Sequence, residues 1–363
     1  MKRSTYDVAV IGGGPAGSAT ALLLARAGIS VLLLEATDYR APRTGETVSP
    51  RVHQQMLQLG VLRNVNAKMA NPAEGIVSTW GSRNPQVTDF LLGVNGAGWH
   101  MDRAAFDRML AKAAQKSGVT VRCGSRMTSA PKRSHKRRLF EFTSNCHNTA
   151  CECRFLVDAT GRSGSSPLAR LSPRVVLDRL IAIIWTGKAG KAGNYLTVES
   201  VPDGWFYSAG LPGQRTTVVY VTDSDLYREG CKLNPAFWWL RLSQTTYARE
   251  RFSSNTASLN LRIVSAATVV RAEAAGEDWC TVGDALLSHD PLSGRGVHDA
   301  LESASHAAPA IEDYLHRGKP FSNYQSWAAE RLHDYLISRR LNYATERRWQ
   351  SSPFWQRRQP PEI

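Results

Sequence analysis

Hydrophobic residues along this chain fall first into short continuous blocks, then into a helical stripe, then into alternation, and each change of rhythm marks an element. Asp7-Val8-Ala9-Val10-Ile11 reads as a buried strand, Ser18 to Ala27 as a helix ended by Gly28, and Val31 to Leu34 as a second strand closed by the acidic Glu35. Pro50 to Leu59 predicts a helix stopped by Gly60. From Asp102 to Ser117 the apolar positions Phe106, Met109, Leu110 and Ala113 share one stripe, which predicts an amphipathic helix capped by Gly118. Strands are predicted at Val119 to Cys123, Leu139 to Thr143 and Cys151 to Val157. Between about 172 and 274 the pattern is mostly β, with strands at Tyr195 to Val201, Trp205 to Gly210 and Thr216 to Val221 and a helical interlude near Pro235 to Leu242. Helices come next, from Val297 to Leu315 and from Tyr324 to Arg348, before a polar stub containing prolines.

Three turns interrupt this pattern with chemistry. Gly12, Gly14 and Gly17, between the first strand and the first helix, have the spacing of a βαβ unit that holds a dinucleotide. Gly12 allows the tight turn, Gly14 lets backbone amides approach a pyrophosphate, and Gly17 lets the helix pack on the strand. Pro15 and Ala16 stand in the same turn, the N-terminus of the helix that follows faces the phosphates, and Glu35 stands where a carboxylate accepts from a ribose. The second turn is Asp158-Ala159-Thr160-Gly161-Arg162-Ser163-Gly164, after an apolar strand. The third is Gly283-Asp284, followed by His289-Asp290-Pro291-Leu292-Ser293-Gly294-Arg295-Gly296 and a helix.

Composition narrows the class. With 363 residues, 42% apolar and 21% charged, the chain has the balance of a globular protein with a sizeable core, and no run of about eighteen apolar residues suggests a membrane span. Lys2-Arg3 and Ala25-Arg26-Ala27 imitate a secretory signal, but Asp7 and the Gly-Pro break at 12–15 interrupt it, so a cytoplasmic protein is expected. Cys151-x-Cys153 has no matching cluster of His or Cys nearby. The six cysteines are therefore expected to be ordinary reduced thiols, with no metal. The formal charge of +14 concentrates at Lys132 to Arg138 and in the tail, at Arg339-Arg340, Arg347-Arg348 and Arg357-Arg358. The first run reads as a solvated hairpin loop. The tail reads as a frayed basic segment or a protein-docking surface, and no nucleic-acid motif accompanies it.

The order of the three turns resembles the FAD-dependent monooxygenase superfamily, which includes aromatic hydroxylases, flavin-dependent halogenases and geranylgeranyl reductases. The resemblance spans nearly the whole chain. It implies an α/β fold: a Rossmann-like FAD-binding domain of the aromatic-hydroxylase type (1–75, 101–171 and 275–320), an inserted antiparallel β-sheet substrate domain (76–100 and 172–274), and a helical C-terminal tail (321–363). To the FAD it assigns Gly12, Gly14, Pro15, Ala16, Gly17, Glu35 and Ala36 at the first turn. Arg43, Glu46 and Thr47 belong to a loop that folds over the flavin, and Arg103 reaches the pyrophosphate or ribose. Asp158, Gly161, Gly283 and Asp284 line the other turns, and Pro291, Gly294, Gly296 and Val297 pass the flavin edge where oxygen reacts. Alternatives stay open at several positions. Arg103 reads equally as a surface residue, Glu46 as a helix-start carboxylate, and Trp205 and Tyr207 as either an aromatic substrate pocket or sheet core. Candidates for catalysis are Glu46, Pro291 and His289, the last of which reads also as a structural histidine.

The segment Gly204-Trp205-Phe206-Tyr207 to Pro212 departs from the Trp-x-Trp-x-Ile-Pro segment by which halogenases are recognised, and nothing in the sequence positions Lys68 as a halogenation lysine. Gly45-Glu46, Trp80-Gly81, Asp102-Arg103-x-x-Phe106-Asp107, Gly204-Trp205 and Asp290 to Gly294 look instead like the flavoproteins that mature cysteine tryptophylquinone amino-acid oxidases. That resemblance implies hydroxylation of a tryptophan in a precursor protein, with FAD, O₂ and electrons from NADPH, NADH or a flavin reductase. The alternatives are a hydroxylase, halogenase or reductase acting on a small aromatic or prenyl substrate, and a non-catalytic flavin-containing chaperone of an oxidase.

Overall fold

The computed structural model describes residues 4–93, 96–144, 147–162, 167–190, 193–228, 235–252 and 260–359. Lys2-Arg3, Ser163-Gly164, Cys146 and Cys231 lie outside them.

The first strand, Ser4–Ile11, pairs in parallel with Val31–Leu34 on one side and His147–Asp158 on the other. Its continuous apolar run is explained by burial on both faces. Val8 and Val10 join the core under the helices Pro15–Arg26, Arg103–Lys116 and Gly296–Arg317, while Ala9 and Ile11 join a second core with Phe140, Phe142 and Trp279. His147–Asp158 serves two neighbours in succession. Its first part pairs with the hairpin strand Arg137–Ser144, and its last residues pair in parallel with Trp279–Thr281. Leu34 lies opposite Ile11, Ile11 opposite Asp158, and Asp158 opposite Thr281. All three motif turns therefore leave the same carboxyl edge of one sheet, where ligands bind in open α/β sheets.

The inserted sheet runs, in hydrogen-bonded order, Leu261–Ser265, Leu180–Lys188, Arg215–Asp223, Gly204–Leu211, Tyr195–Val201, Gly75–Thr79 and Gln86–Asp89. It is antiparallel except where Tyr195–Val201 pairs in parallel with Gly75–Thr79. One face is covered by Pro235–Leu242 and Tyr247–Arg251; the other is covered mainly by the C-terminal tail, through Tyr343, Phe354 and Trp355. Two of the expected borders, 75/76 and 100/101, fall inside β-ladders. Gly98–Met101 pairs with Thr47–Val48 and Ala70–Ala73 instead of the inserted sheet. Arg174–Val176, Val269–Arg271 and Leu287–Ser288 make a small sheet joining the two units.

The tail differs most from expectation. Its helix Ser322–Ala344 stops short of Arg348, and the residues beyond it pack closely, with a short helix Pro353–Gln356 whose Phe354 and Trp355 are fully buried. Trp355 Nε1 donates to the Val201 carbonyl at 3.0 Å, and Trp80 Nε1 to the Asn342 carbonyl at 2.9 Å. The basic pairs are largely spent on this packing: Arg358 and Arg357 hold Asp223, Arg348 holds Glu346, and Arg339 holds Asp178. The tail is neither frayed nor a free basic surface, because aromatic burial and ion pairs fix it, although Arg340 and Arg347 remain exposed. The 132–138 run is largely exposed as expected, but it forms a regular hairpin whose Arg133 and Arg138 pair with Glu277 and Asp278. Cys151 and Cys153, two apart on one strand, share a buried face, and burial raises both thiol pKa values. Among the described residues no helix is long and apolar enough to cross a membrane.

Candidate functional site

The glycines separate into two kinds. A Cβ on Gly12 would lie 2.1 Å from the Ala159 carbonyl oxygen, and one on Gly17 would lie 1.9 Å from that of Gly12. These two serve the close approach of the turns to one another, and Gly12 has a φ of +113° that other residues avoid. Gly283 is similar, wedged against Ala16 on the first helix. At Gly14, Gly161, Gly294 and Gly296, by contrast, nothing lies within 4 Å of the Cβ position. Open space thus surrounds those glycines of all three turns at which a bound cofactor is expected to lie.

The helix Pro15–Arg26 begins at Gly14 with no capping side chain and no acidic residue in its first turn, so its leading amides and positive dipole end are left for an anion. Glu35 stands at the end of the neighbouring strand and accepts from the Gly13 amide at 2.8 Å and from Thr37; Ala36 beside it is exposed. Arg43 bridges Glu35 (2.8 Å) and the buried Asp107 (2.7 Å), and Arg103 reaches the same Asp107 (3.2 Å) and the Thr44 and Gly45 carbonyls. Arg103 is therefore not a free surface residue. Together with Asp107 it fixes the 43–47 loop, in which Thr47 Oγ1 sits 2.9 Å from His100 Nδ1.

Glu46 is buried, which raises its pKa, and the Gly45 amide donates to its Oε2 at 3.0 Å. It does not cap the following helix, which starts at Val52 after Arg51 without a side-chain cap. Tyr207 is partly buried on the inserted sheet. Burial pushes its hydroxyl well above the usual range, with Glu46, Arg162 and Arg262 as the charges it feels. Trp205, two residues earlier, is core: 1% exposed, it donates from Nε1 to the Tyr343 hydroxyl among Trp80, Trp355 and Tyr343. Of the two aromatic candidates, Trp205 is wholly core, while Tyr207 is partly buried and packs against the same cluster.

Asp158 is almost wholly buried, and its carboxylate is engaged within the fold. Its Oδ1 takes Thr160 N and Oγ1, and its Oδ2 accepts from the buried Arg271 at 2.6 Å. It shapes the second turn, and Arg271 also ties that turn to the Ala285 carbonyl. Asp284 stands partly exposed at the third turn, 3.0 Å from Arg162 Nε; the same guanidinium donates to the carbonyls of Ala267 and His289. Pro291 begins a short turn capped by Asp290, and Gly294 ends it at a φ of +60°. The helix then starts at Gly296, whose neighbour Val297 turns its side chain into the core. His289 is buried, with Nε2 3.1 Å from Asp299, and burial lowers its pKa.

Asp107, Arg162, Arg271, Asp290 and Asp299 were not singled out by sequence reasoning. Arg162 and Asp290 stand inside the motifs and Asp107 ends the Asp102-Arg103-x-x-Phe106-Asp107 string. Arg271 leaves no local signal, since its partners come from distant turns.

Three turns at one sheet edge, an uncapped helix start with open glycines, and an inserted antiparallel sheet over a cleft define a dinucleotide-binding flavoprotein of the hydroxylase and halogenase type. Residues 5–333 match the FAD binding domain family. The chain belongs to the FAD-dependent monooxygenase and halogenase superfamily and is an FAD-dependent oxidoreductase. It is 32% identical to a protein named as an FAD-dependent oxidoreductase, LodB, from Marinomonas mediterranea, over 98% of this chain and 97% of that one. It is 28% identical to a tryptophan 2-halogenase of Chondromyces crocatus, over 86% of this chain and 62% of the halogenase. Among solved structures, the myxobacterial chondrochloren halogenase CndH shares the fold, with a TM-score of 0.90 at 22% identity over 99% of this chain and 87% of that chain. The peptidyl tryptophan dihydroxylase QhpG, essential for tryptophylquinone cofactor biogenesis, has a TM-score of 0.79 at 26% identity, over 99% and 80%.

Proposed function

We propose that this chain is a monooxygenase that hydroxylates a tryptophan side chain in a precursor protein, during formation of a tryptophylquinone cofactor in a partner oxidase. The observation that carries the reading is the end-to-end likeness to LodB, with QhpG as a structural neighbour of stated peptidyl-tryptophan chemistry. Bound FAD, with O₂ and electrons from NADPH, NADH or a flavin reductase, supplies the oxidising chemistry. This chain's residues do the rest. Gly14, Ala16 and Gly17 present amides to the pyrophosphate, and Glu35 takes the ribose. Asp284, oriented by Arg162, takes a ribityl hydroxyl.

The loop Pro291–Ser293 and the helix start at Gly296 would border the flavin, where the helix dipole favours negative charge. Tyr207 packs beside the held indole, and Glu46, kept more basic by burial, exchanges a proton there. A net charge of +14 favours an acidic face on the precursor. A reducing, cytoplasmic setting belongs to the same proposal, supported by four described cysteines that are all unpaired.

Incubating the flavin-loaded protein with an unmodified precursor, a reductant and O₂ is expected to add the mass of one or two oxygen atoms to a precursor tryptophan. An unchanged precursor mass with a flavin that turns over overturns the reading. Halogenation is the second reading, favoured by the likeness to the tryptophan 2-halogenase. Lys68, its candidate lysine, is exposed on a turn, so halide is expected to leave the product mass unchanged.

A further inference from the structure

His289 has one ring nitrogen committed and one left over. Nε2 lies 3.1 Å from Asp299 Oδ2, while Nδ1 is buried and without a hydrogen-bond partner among the described residues. Asp299 is itself held from several sides: Arg295 Nε reaches both of its oxygens at 3.2 Å, and His298 Nδ1 lies 2.9 Å from Oδ1. A carboxylate accepts, so His289 donates Nε2–H to Asp299, and its Nδ1 carries the lone pair.

His289 also lines a small cavity of about 20 Å³ with Asp284, Gly296, Asp299 and Arg331. Arg331 Nε is a second buried atom without a partner among the described residues. One is an acceptor and the other a donor. A single water fits a space of that size and joins two such groups, accepting from Arg331 and donating to His289. Asp284 and Gly296, of the third motif, border the same cavity.

We propose that His289 is an acid–base group whose Nδ1 exchanges a proton with a buried water beside the flavin loop, and that Asp299 is the positioning residue that fixes its tautomer. The proton enters by relay: the water's O–H bond breaks as an Nδ1–H bond forms, and the same water gains a proton from the group being served or from bulk water, so no hydroxide is left; the positive imidazolium is then balanced by the Asp299 carboxylate. It leaves by the reverse step. The charged and titratable groups facing the ring are Arg295 and Asp299 at the start of the following helix, Asp284 from the same motif, Arg162 from the second turn, and Tyr335 and Arg331 from the C-terminal helix. Burial lowers the pKa of His289, so the ring is neutral and able to accept at neutral pH. This deepens the proposed monooxygenase reading and rests on it only for what the proton is used for.

The test has two independent parts. In flavin-free protein with ¹⁵N-labelled histidine, NMR is expected to report His289 as the Nε2–H tautomer, and Asp299→Asn is expected to turn it into a mixture. An Nδ1–H tautomer in the parent, or no change in Asp299→Asn, overturns the positioning claim. In flavin-loaded protein the rate at which O₂ reoxidises the reduced flavin is measured against pH. His289→Gln keeps an N–H for Asp299 but loses the base. It is expected to fold and bind FAD, to slow the reaction about 100-fold, and to flatten the pH dependence. A pH profile like the parent's overturns the acid–base role. Failure of the precursor to gain oxygen while both results hold would sink the substrate reading alone.

Discussion

Arg162 Nε lies 3.0 Å from Asp284 Oδ2, so the second motif turn holds the carboxylate of the third. The guanidinium also takes the Ala267 and His289 carbonyls, so one side chain ties the inserted sheet, the flavin loop and the strand-end turn together. Arg162→Met is expected to fold but to release Asp284 from its orientation. A charged hydrogen bond of this kind contributes about 1.5–3 kcal/mol, and FAD should bind roughly 10- to 100-fold more weakly. Titrating FAD fluorescence against the variant checks it.

The two kinds of glycine should fail differently. Alanine at Gly12 meets backbone 2.1 Å away and a φ of +113°, so Gly12→Ala is expected to be insoluble or largely unfolded. Alanine at Gly14 meets open space and a φ of −72°, so Gly14→Ala is expected to melt normally without cofactor. It should nonetheless lose FAD affinity by about tenfold or more, because the methyl stands where the pyrophosphate approaches. Thermal melts with and without added FAD separate the two outcomes.

Asp158 and Arg271 form an ion pair of 2.6 Å with both side chains almost wholly buried. Arg271→Met leaves the carboxylate uncompensated and is expected to cost about 3–5 kcal/mol in urea denaturation. The double variant Asp158→Asn with Arg271→Met should recover part of that loss, since no unpaired charge is then buried.

His100 sets an acid limit. Its Nε2 lies 3.0 Å from the Asn194 carbonyl and so donates, which leaves Nδ1 to accept from Thr47 Oγ1. Burial pushes its pKa down to about 4, below an unfolded value of about 6.5. The unfolded chain therefore takes up this proton first, and stability falls as pH drops from about 6.5 toward 4. At pH 5 the loss from this group is about 2 kcal/mol. Glu46 and Asp290, whose pKa values burial raises, act in the opposite direction, so the comparison must isolate His100. Denaturation of the parent and of His100→Gln at about pH 7.5 and about pH 5 should show a smaller pH loss in the variant.

The nucleotide-binding half was legible because its signals are local. Apolar runs, glycines and Glu35 sit within one βαβ unit, and the strand-end motifs at Asp158 and Gly283 repeat that punctuation. The roles of Asp158 and Trp205 were not legible, since each depends on a residue more than a hundred positions away: Arg271 claims the first and Tyr343 the second. The tail misled for a related reason. Arginines between tryptophans look like a free basic segment until Asp223, Glu346 and Asp178 come to meet them.

Phe354 and Trp355 complete a wall whose other members, Trp80, Val201 and Trp205, were made far earlier in the chain. The chain must therefore be made as far as Trp355 before the inserted sheet is sealed. Until then its apolar side stays bare, and a nascent chain stalled within the last helix would be a target for chaperones and proteases.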